Sequence, residues 1–138
     1  MPRIIKKFII ILNFTADMPE ISIITPSYNS SKYLNETIAS VLNQTFPDWE
    51  WLITDDCSRD NSVEILEKQN DPRIKVFKAE KNGGAGHARN ISLENASGRF
   101  ITFLDADEFW ELNFIEEMVK FMKSENAELA YSTYSRCD

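Results

Sequence analysis

The chain has 138 residues, 43% hydrophobic and 27% charged, which fits one globular domain with a real core. Its net charge of −7 excludes a nucleic-acid partner held through phosphates, because that needs clustered Lys and Arg. One histidine (His87) and two cysteines (Cys57 and Cys137) exclude a disulfide framework and leave zinc sites and His-based triads without their residues. The cysteine usage points to a reducing, cytoplasmic compartment.

Residues 1–18 form an N-terminal extension ahead of a domain predicted over 19–138. Arg3, Lys6 and Lys7 precede the apolar run Phe8 to Leu12, which is too short to span a bilayer and lacks a small-residue cleavage pair after it. A membrane-surface foot, an extra edge strand and an extension without a role are the three readings. A foot would place the chain at the inner face of the cell membrane.

Glu20 to Thr25 reads as the first core strand, and Pro26-Ser27-Tyr28-Asn29-Ser30 is a loop of turn formers. Ser30 or Ser31 is positioned to cap the helix carrying Leu34, Ile38, Val41, Leu42 and Thr45 at helical spacing. A second strand, Glu50 to Thr54, ends in Asp55 and Asp56. A polar loop and a short helix around Val63 and Leu66 follow, then a third strand, Arg73 to Phe77. Lys81 to Gly86 holds three of the four glycines and leads into a helix from His87 to Ala96, with Gly98 as its stop. Ile115, Met118, Val119 and Met122 mark a last helix, and Glu128 to Ser132 begins a last strand. Alternating strands and helices predict an α/β fold with a mostly parallel sheet flanked by helices.

The stretch from Phe100 to Trp110 stands at the centre of this pattern. Its apolar run reads as a buried parallel strand and ends in Asp105, Asp107 and Glu108. Clustered carboxylates at a strand's carboxyl end fit either an all-oxygen Mg²⁺ or Mn²⁺ site or a solvated acidic turn capping the next helix. Four strand ends carry unusual polar residues: Pro26 to Asn29, Asp55 and Asp56, the glycine-rich stretch to Arg89, and Asp105 to Glu108. In a parallel sheet they share one edge. Neither a G-x-G-x-x-G after the first strand nor a P-loop is present.

Ile21 to Asn29, Ser40 to Phe46, Asp55 to Asp60, Asn82-Gly83-Gly84 through Asn90, and Phe103-Leu104-Asp105-Ala106-Asp107 together resemble the family 2 glycosyltransferases of GT-A fold, from Glu20 onward. The resemblance implies a metal-assisted, inverting transferase. It would use a nucleotide-sugar donor, commonly a UDP-sugar, and a glycan or lipid-linked acceptor in polysaccharide biosynthesis. By the same resemblance Pro26, Tyr28, Asn29, Asp56, Arg89, Asp105 and Ala106 bind the nucleotide-sugar. Asp107 with Asp105 holds Mn²⁺ or Mg²⁺.

Two departures stand out. Cys57 replaces the glycine of the commonest Asp-Asp-Gly-Ser loop, and Glu108 stands where a third aspartate is frequent. The family's catalytic base has no counterpart before residue 138, so the chain reads as truncated to the nucleotide-binding half. Apolar surface left uncovered by that truncation predicts self-association.

Overall fold

The computed structural model describes residues 18–132 in full, together with the backbone of 3–4, 8–11 and 136–137. In chain order the elements are β1 (Arg3–Ile4), β2 (Phe8–Ile11), β3 (Ile21–Ser27), α1 (Ser31–Leu42), β4 (Trp49–Asp55) and α2 (Ser62–Glu67). They continue with β5 (Ile74–Lys78), α3 (Ala85–Glu94), β6 (Phe100–Phe103), α4 (Phe114–Ser124), β7 (Leu129–Tyr131) and β8 (Arg136–Cys137). The main sheet runs β5-β4-β3-β6-β2-β7. Its first four strands are mutually parallel, and β2 is antiparallel to both β6 and β7. β1 and β8 pair antiparallel as a separate ribbon.

The α/β pattern predicted from the sequence is therefore present, but the first helical stripe buries only in part: α1 ends at Leu42, which is exposed, and Thr45 lies beyond the helix and is exposed too. Leu34, Thr37, Ile38 and Val41 of α1 are buried, as are Ile115, Met118, Val119 and Met122 of α4. Together they cover the face of the sheet that carries Ile21, Ile23, Trp51, Ile53 and Phe100. The other face holds a smaller cluster of Ile24, Leu52 and Ile101, packed with Leu93 and Ala96 of the α3 region. Such two-sided cover buries β3 and β4 along almost their whole length, the polar Ser22, Thr25, Glu50 and Thr54 included.

The sequence left the role of Phe8 to Ile11 open, with an edge strand among its readings. The backbone here forms a strand inside the sheet rather than on its rim.

The amino ends of the strands are closed by one polar knot. Glu50 is buried. Its Oε1 accepts hydrogen bonds from the Ser22 hydroxyl (2.6 Å) and from the Ser97 backbone N–H (2.6 Å) and hydroxyl (2.9 Å). Its Oε2 pairs with Lys75 Nζ at 2.8 Å. Burial pushes the Glu50 carboxyl up, and the donors from Lys75, Ser22 and Ser97 outweigh it, leaving its pKa below the usual value. Gly98 donates its N–H to Ser22 Oγ at 2.7 Å. A Cβ at Gly98 would stand 2.4 Å from the Ser22 backbone nitrogen, so this approach admits only glycine.

Candidate functional site

At the opposite edge the loops leaving β3, β4 and β6 and the start of α3 enclose a cavity of about 510 Å³. It is lined by Pro26, which the structure places at the end of strand β3 rather than on the predicted loop, by Tyr28 and Asn29 just after it, by Asp56 after β4, by Arg89 from α3, and by Asp105, Ala106 and Asp107 after β6. All the residues singled out in the sequence as nucleotide-sugar or metal contacts thus meet in one place. Parallel strands bring their carboxyl ends to a single edge, and that placement follows from the topology.

Each wall has a local cause. Asn29 adopts φ +46, a conformation that asparagine tolerates. It ties the first two loops together: its N–H donates to Ser58 Oγ (2.9 Å), and its Oδ1 accepts the Arg59 N–H (2.8 Å). Asp56 is buried. Its two carboxylate oxygens accept the backbone N–H groups of Gly83 (2.9 Å) and Gly84 (2.7 Å), while Asn82 Nδ2 donates to its carbonyl (2.9 Å). Gly84, at φ +87, is the residue before α3, so the carboxylate faces that helix's positive end. Arg89 donates to Asp105 Oδ1 at 2.7 Å, both side chains being partly exposed. The Asp105–Asp107 turn is latched to α1. The Thr37 hydroxyl lies 3.0 Å from the Ala106 carbonyl oxygen and 2.6 Å from that of Glu108. Asp107 itself is exposed, and Tyr28 is half exposed.

Other polar residues of these loops are consumed by the fold. Asp55 accepts the N–H (2.9 Å) and hydroxyl (2.5 Å) of Ser58. Neither Asp55 nor Asp56 caps α2. That task falls to Asp60, whose carboxylate accepts the N–H (3.0 Å) and hydroxyl (2.6 Å) of Ser62 at the start of α2. The same carboxylate accepts the N–H of Ser31 (3.0 Å) at the start of α1. Burial opposes ionisation of Asp60. These hydrogen bonds from Ser62 and Ser31 win, and they hold its pKa at about 2. Ser30 precedes α1 as expected but makes no side-chain cap; its hydroxyl returns to the Tyr28 carbonyl (3.2 Å). Cys57, standing in the place of the loop's usual glycine, takes φ +65 in the left-handed region. Glu108 is buried under the Asp105 turn rather than lining the cavity. Trp110 is core, its ring 4.7 Å from that of Phe114. His87 is exposed and does not line the cavity.

Ser27, Ser30, Tyr33, Asn82, Gly84 and Ala85 also line the cavity, though sequence reasoning did not single them out as contacts. Asn82 and Gly84 lay within a stretch already noted. Tyr33 gave no signal, being one residue on an amphipathic helix.

A cavity at the carboxyl edge of a parallel sheet, closed by a glycine-rich turn and an acidic turn, is the arrangement of nucleotide-binding α/β proteins. Residues 22–138 match the model of glycosyl transferase family 2, and the chain belongs to that family. It is 43% identical over 119 residues to TuaG of Bacillus subtilis, assigned to teichuronic acid biosynthesis as a glycosyltransferase. That match covers 85% of this chain and 47% of TuaG. It is also 43% identical over 114 residues to the Escherichia coli enzyme WfgD, covering 83% of this chain and 45% of WfgD. WfgD is a UDP-Glc:α-D-GlcNAc-diphosphoundecaprenol β-1,3-glucosyltransferase. Among solved structures, residues 1–349 of Staphylococcus aureus TarS in complex with UDP superpose with a TM-score of 0.74 at 36% identity. That match covers 78% of this chain and 33% of TarS 1–349, and it establishes the GT-A fold. The chain spans about half the length of the curated relatives it matches.

Proposed function

We propose that the cavity binds the nucleotide diphosphate of a UDP-sugar, and that the chain forms the donor side of a glycosyltransferase. The sugar would pass with inversion to a hydroxyl of a glycan or lipid-linked acceptor. One observation carries this reading: Pro26, Tyr28, Asn29, Asp56, Arg89 and Asp105 to Asp107 converge on a single cavity of ligand size. The names of WfgD, which uses UDP-Glc, and of TarS, solved with UDP, support the donor class.

The residues divide the work by chemistry. Tyr28 offers an aromatic face to the base. Asp56 is fixed by two backbone donors and keeps lone pairs for the imide N–H of uracil. Arg89, oriented by Asp105, presents positive charge toward the diphosphate. Asp56, Asp105 and Asp107 are three carboxylates against the one Arg89 in the lining. At an effective dielectric of about 20, each like-charge contact near 4 Å costs roughly 4 kcal/mol, so a diphosphate here needs a cation. Asp105 and Asp107 fit that need: they are oxygen donors on one turn, and Asp107 is exposed. Among the described residues no group of three metal-ligating side chains occurs. An ion here would rest on these two carboxylates, substrate phosphates and water, a donor set that Mn²⁺ or Mg²⁺ accepts. When bound, such an ion acts as a Lewis acid on the departing diphosphate. The base that deprotonates the acceptor has no candidate among the lining residues we assign.

Calorimetric titration of UDP with and without Mn²⁺, beside Asp107→Asn, tests the reading. The expected result is binding that depends on Mn²⁺ and weakens at least tenfold in the variant. A folded chain that binds no UDP under any condition would overturn it. A second reading, nucleotide binding without transfer, is favoured by the lining: among the described residues its carboxylates are Asp56, Asp105 and Asp107, all assigned above to nucleotide or metal, which leaves none as base. Transfer from UDP-sugar to a lipid-linked acceptor by the chain alone would exclude it.

No helix among the described residues is long and apolar enough to cross a membrane. Contact with a membrane surface and self-association belong to the same proposal. The exposed Phe121, Leu129 and Tyr131 are the apolar surface that would take part.

A further inference from the structure

We infer that Thr37, which does not line the cavity, is the positioning residue for the Asp107 carboxylate and sets how tightly the site takes its divalent cation. The inference rests on the nucleotide reading and extends it to a residue that touches neither nucleotide nor ion.

The two aspartates of the acidic turn are anchored differently. Asp105 has side-chain partners: its Oδ1 accepts from Arg89 at 2.7 Å, and its backbone N–H points at Glu108 Oε2, 3.4 Å away. The Asp107 carboxylate is exposed, and among the described residues no hydrogen bond or ion pair holds it. Its direction is therefore set by its backbone. That backbone is held by Thr37. The Ala106 carbonyl belongs to the peptide that carries the Asp107 N–H, and the Glu108 carbonyl lies just beyond Asp107. Their oxygens stand 3.0 Å and 2.6 Å from the Thr37 hydroxyl, which has one proton to share between them. A threonine inside a helix commonly returns its hydroxyl to the carbonyl four residues back. Here that carbonyl, of Tyr33, is the farthest of the three at 3.4 Å, so the hydroxyl is turned to the acidic turn. Thr37, Ala106 and Glu108 are all buried, which keeps solvent from replacing the hydroxyl as donor. A metal carboxylate without side-chain support depends on its frame, and loss of such support costs about 10- to 100-fold in metal affinity.

The test compares Thr37→Val, which keeps the shape and removes the hydroxyl, with Thr37→Ser, which keeps the hydroxyl. UDP is titrated calorimetrically into each folded chain at stepped Mn²⁺ concentrations. Uridine, which has no diphosphate for the cation to bridge, is titrated beside it. In Thr37→Val the Mn²⁺ needed for half-maximal UDP binding should rise by about 10- to 100-fold, with uridine affinity unchanged. Thr37→Ser should restore the wild-type Mn²⁺ requirement. Should the valine variant not fold, Thr37→Ala takes its place with the same readouts. Equal loss of uridine and UDP binding would make Thr37 a structural residue and overturn the inference. So would an unchanged Mn²⁺ requirement in a folded variant. A wild-type chain that binds no UDP would instead overturn the nucleotide reading, and this inference with it.

Discussion

Strand β4 carries a buried acidic group at each end, and the two behave differently. At the amino end Glu50 is enclosed by Ser22, Ser97 and Lys75, which occupy both of its oxygens. Just past the carboxyl end, Asp56 is equally inaccessible but borders the cavity, and its donors come from one side only, the Gly83-Gly84 turn. A carboxylate whose valences are spent locally holds strands together. One that is oriented by backbone yet left with lone pairs toward a cavity is prepared for a guest. Hydrogen-bond accounting separates the two, whereas burial does not.

The largest effect should come from the closed end. Glu50→Ala leaves the donors of Ser22 and Ser97 unpaired and should cost about 3 kcal/mol in denaturant unfolding. UDP affinity per folded molecule should stay unchanged. The pKa of Glu50 is lowered in the fold, so its stabilisation is fully present above the ordinary value of 4.5. It is lost as pH falls through the folded value. The gap between wild type and variant should therefore shrink only in acid. A variant that loses UDP affinity as strongly as stability would break the division between the two ends.

Asp60 sharpens it, because it sits at the cavity end and yet is spent on structure. Asp60→Ala uncaps α1 and α2 together and should cost about 1–2 kcal/mol. Its folded pKa of about 2 lies below the ordinary 3.8, so this stabilisation holds above pH 3.8 and disappears as pH falls through 2. Acid unfolding curves of the two proteins should converge there. The smallest effect is a gain. Cys57→Gly relieves a left-handed residue at the cost of a looser unfolded chain, for a net of about 0.5–1 kcal/mol. A melting temperature higher by about 2–4 °C would register it.

The alternation of strands and helices was legible because each buried face leaves its period in the chain. The site's outline was legible for a related reason. Parallel strands deliver their carboxyl ends to one edge, so Tyr28, Asp56, Arg89 and Asp107 could be grouped without contacts. The division among the acidic residues was not legible from residue type or spacing; only the family resemblance singled out Asp56. Asp55, Asp56 and Asp60 are chemically alike and close in sequence, and only the loop's path decides which one meets Ser58, the glycine turn or two helix starts. The place of Phe8 to Ile11 was hidden as well. An apolar run of four residues states that it wants burial but not beside which strand.

The Thr37 hydroxyl has a mechanical consequence. Helix α1 begins where the Tyr28–Ser30 wall ends, and through Thr37 it also grips the carbonyls of Ala106 and Glu108. Two walls of the cavity therefore ride on a single rod and cannot part without pulling that rod from the sheet. The glycine wall is held by a different tie, the Gly83 and Gly84 N–H groups on the Asp56 carboxylate, so it is fastened to the loop after β4 and not to that rod.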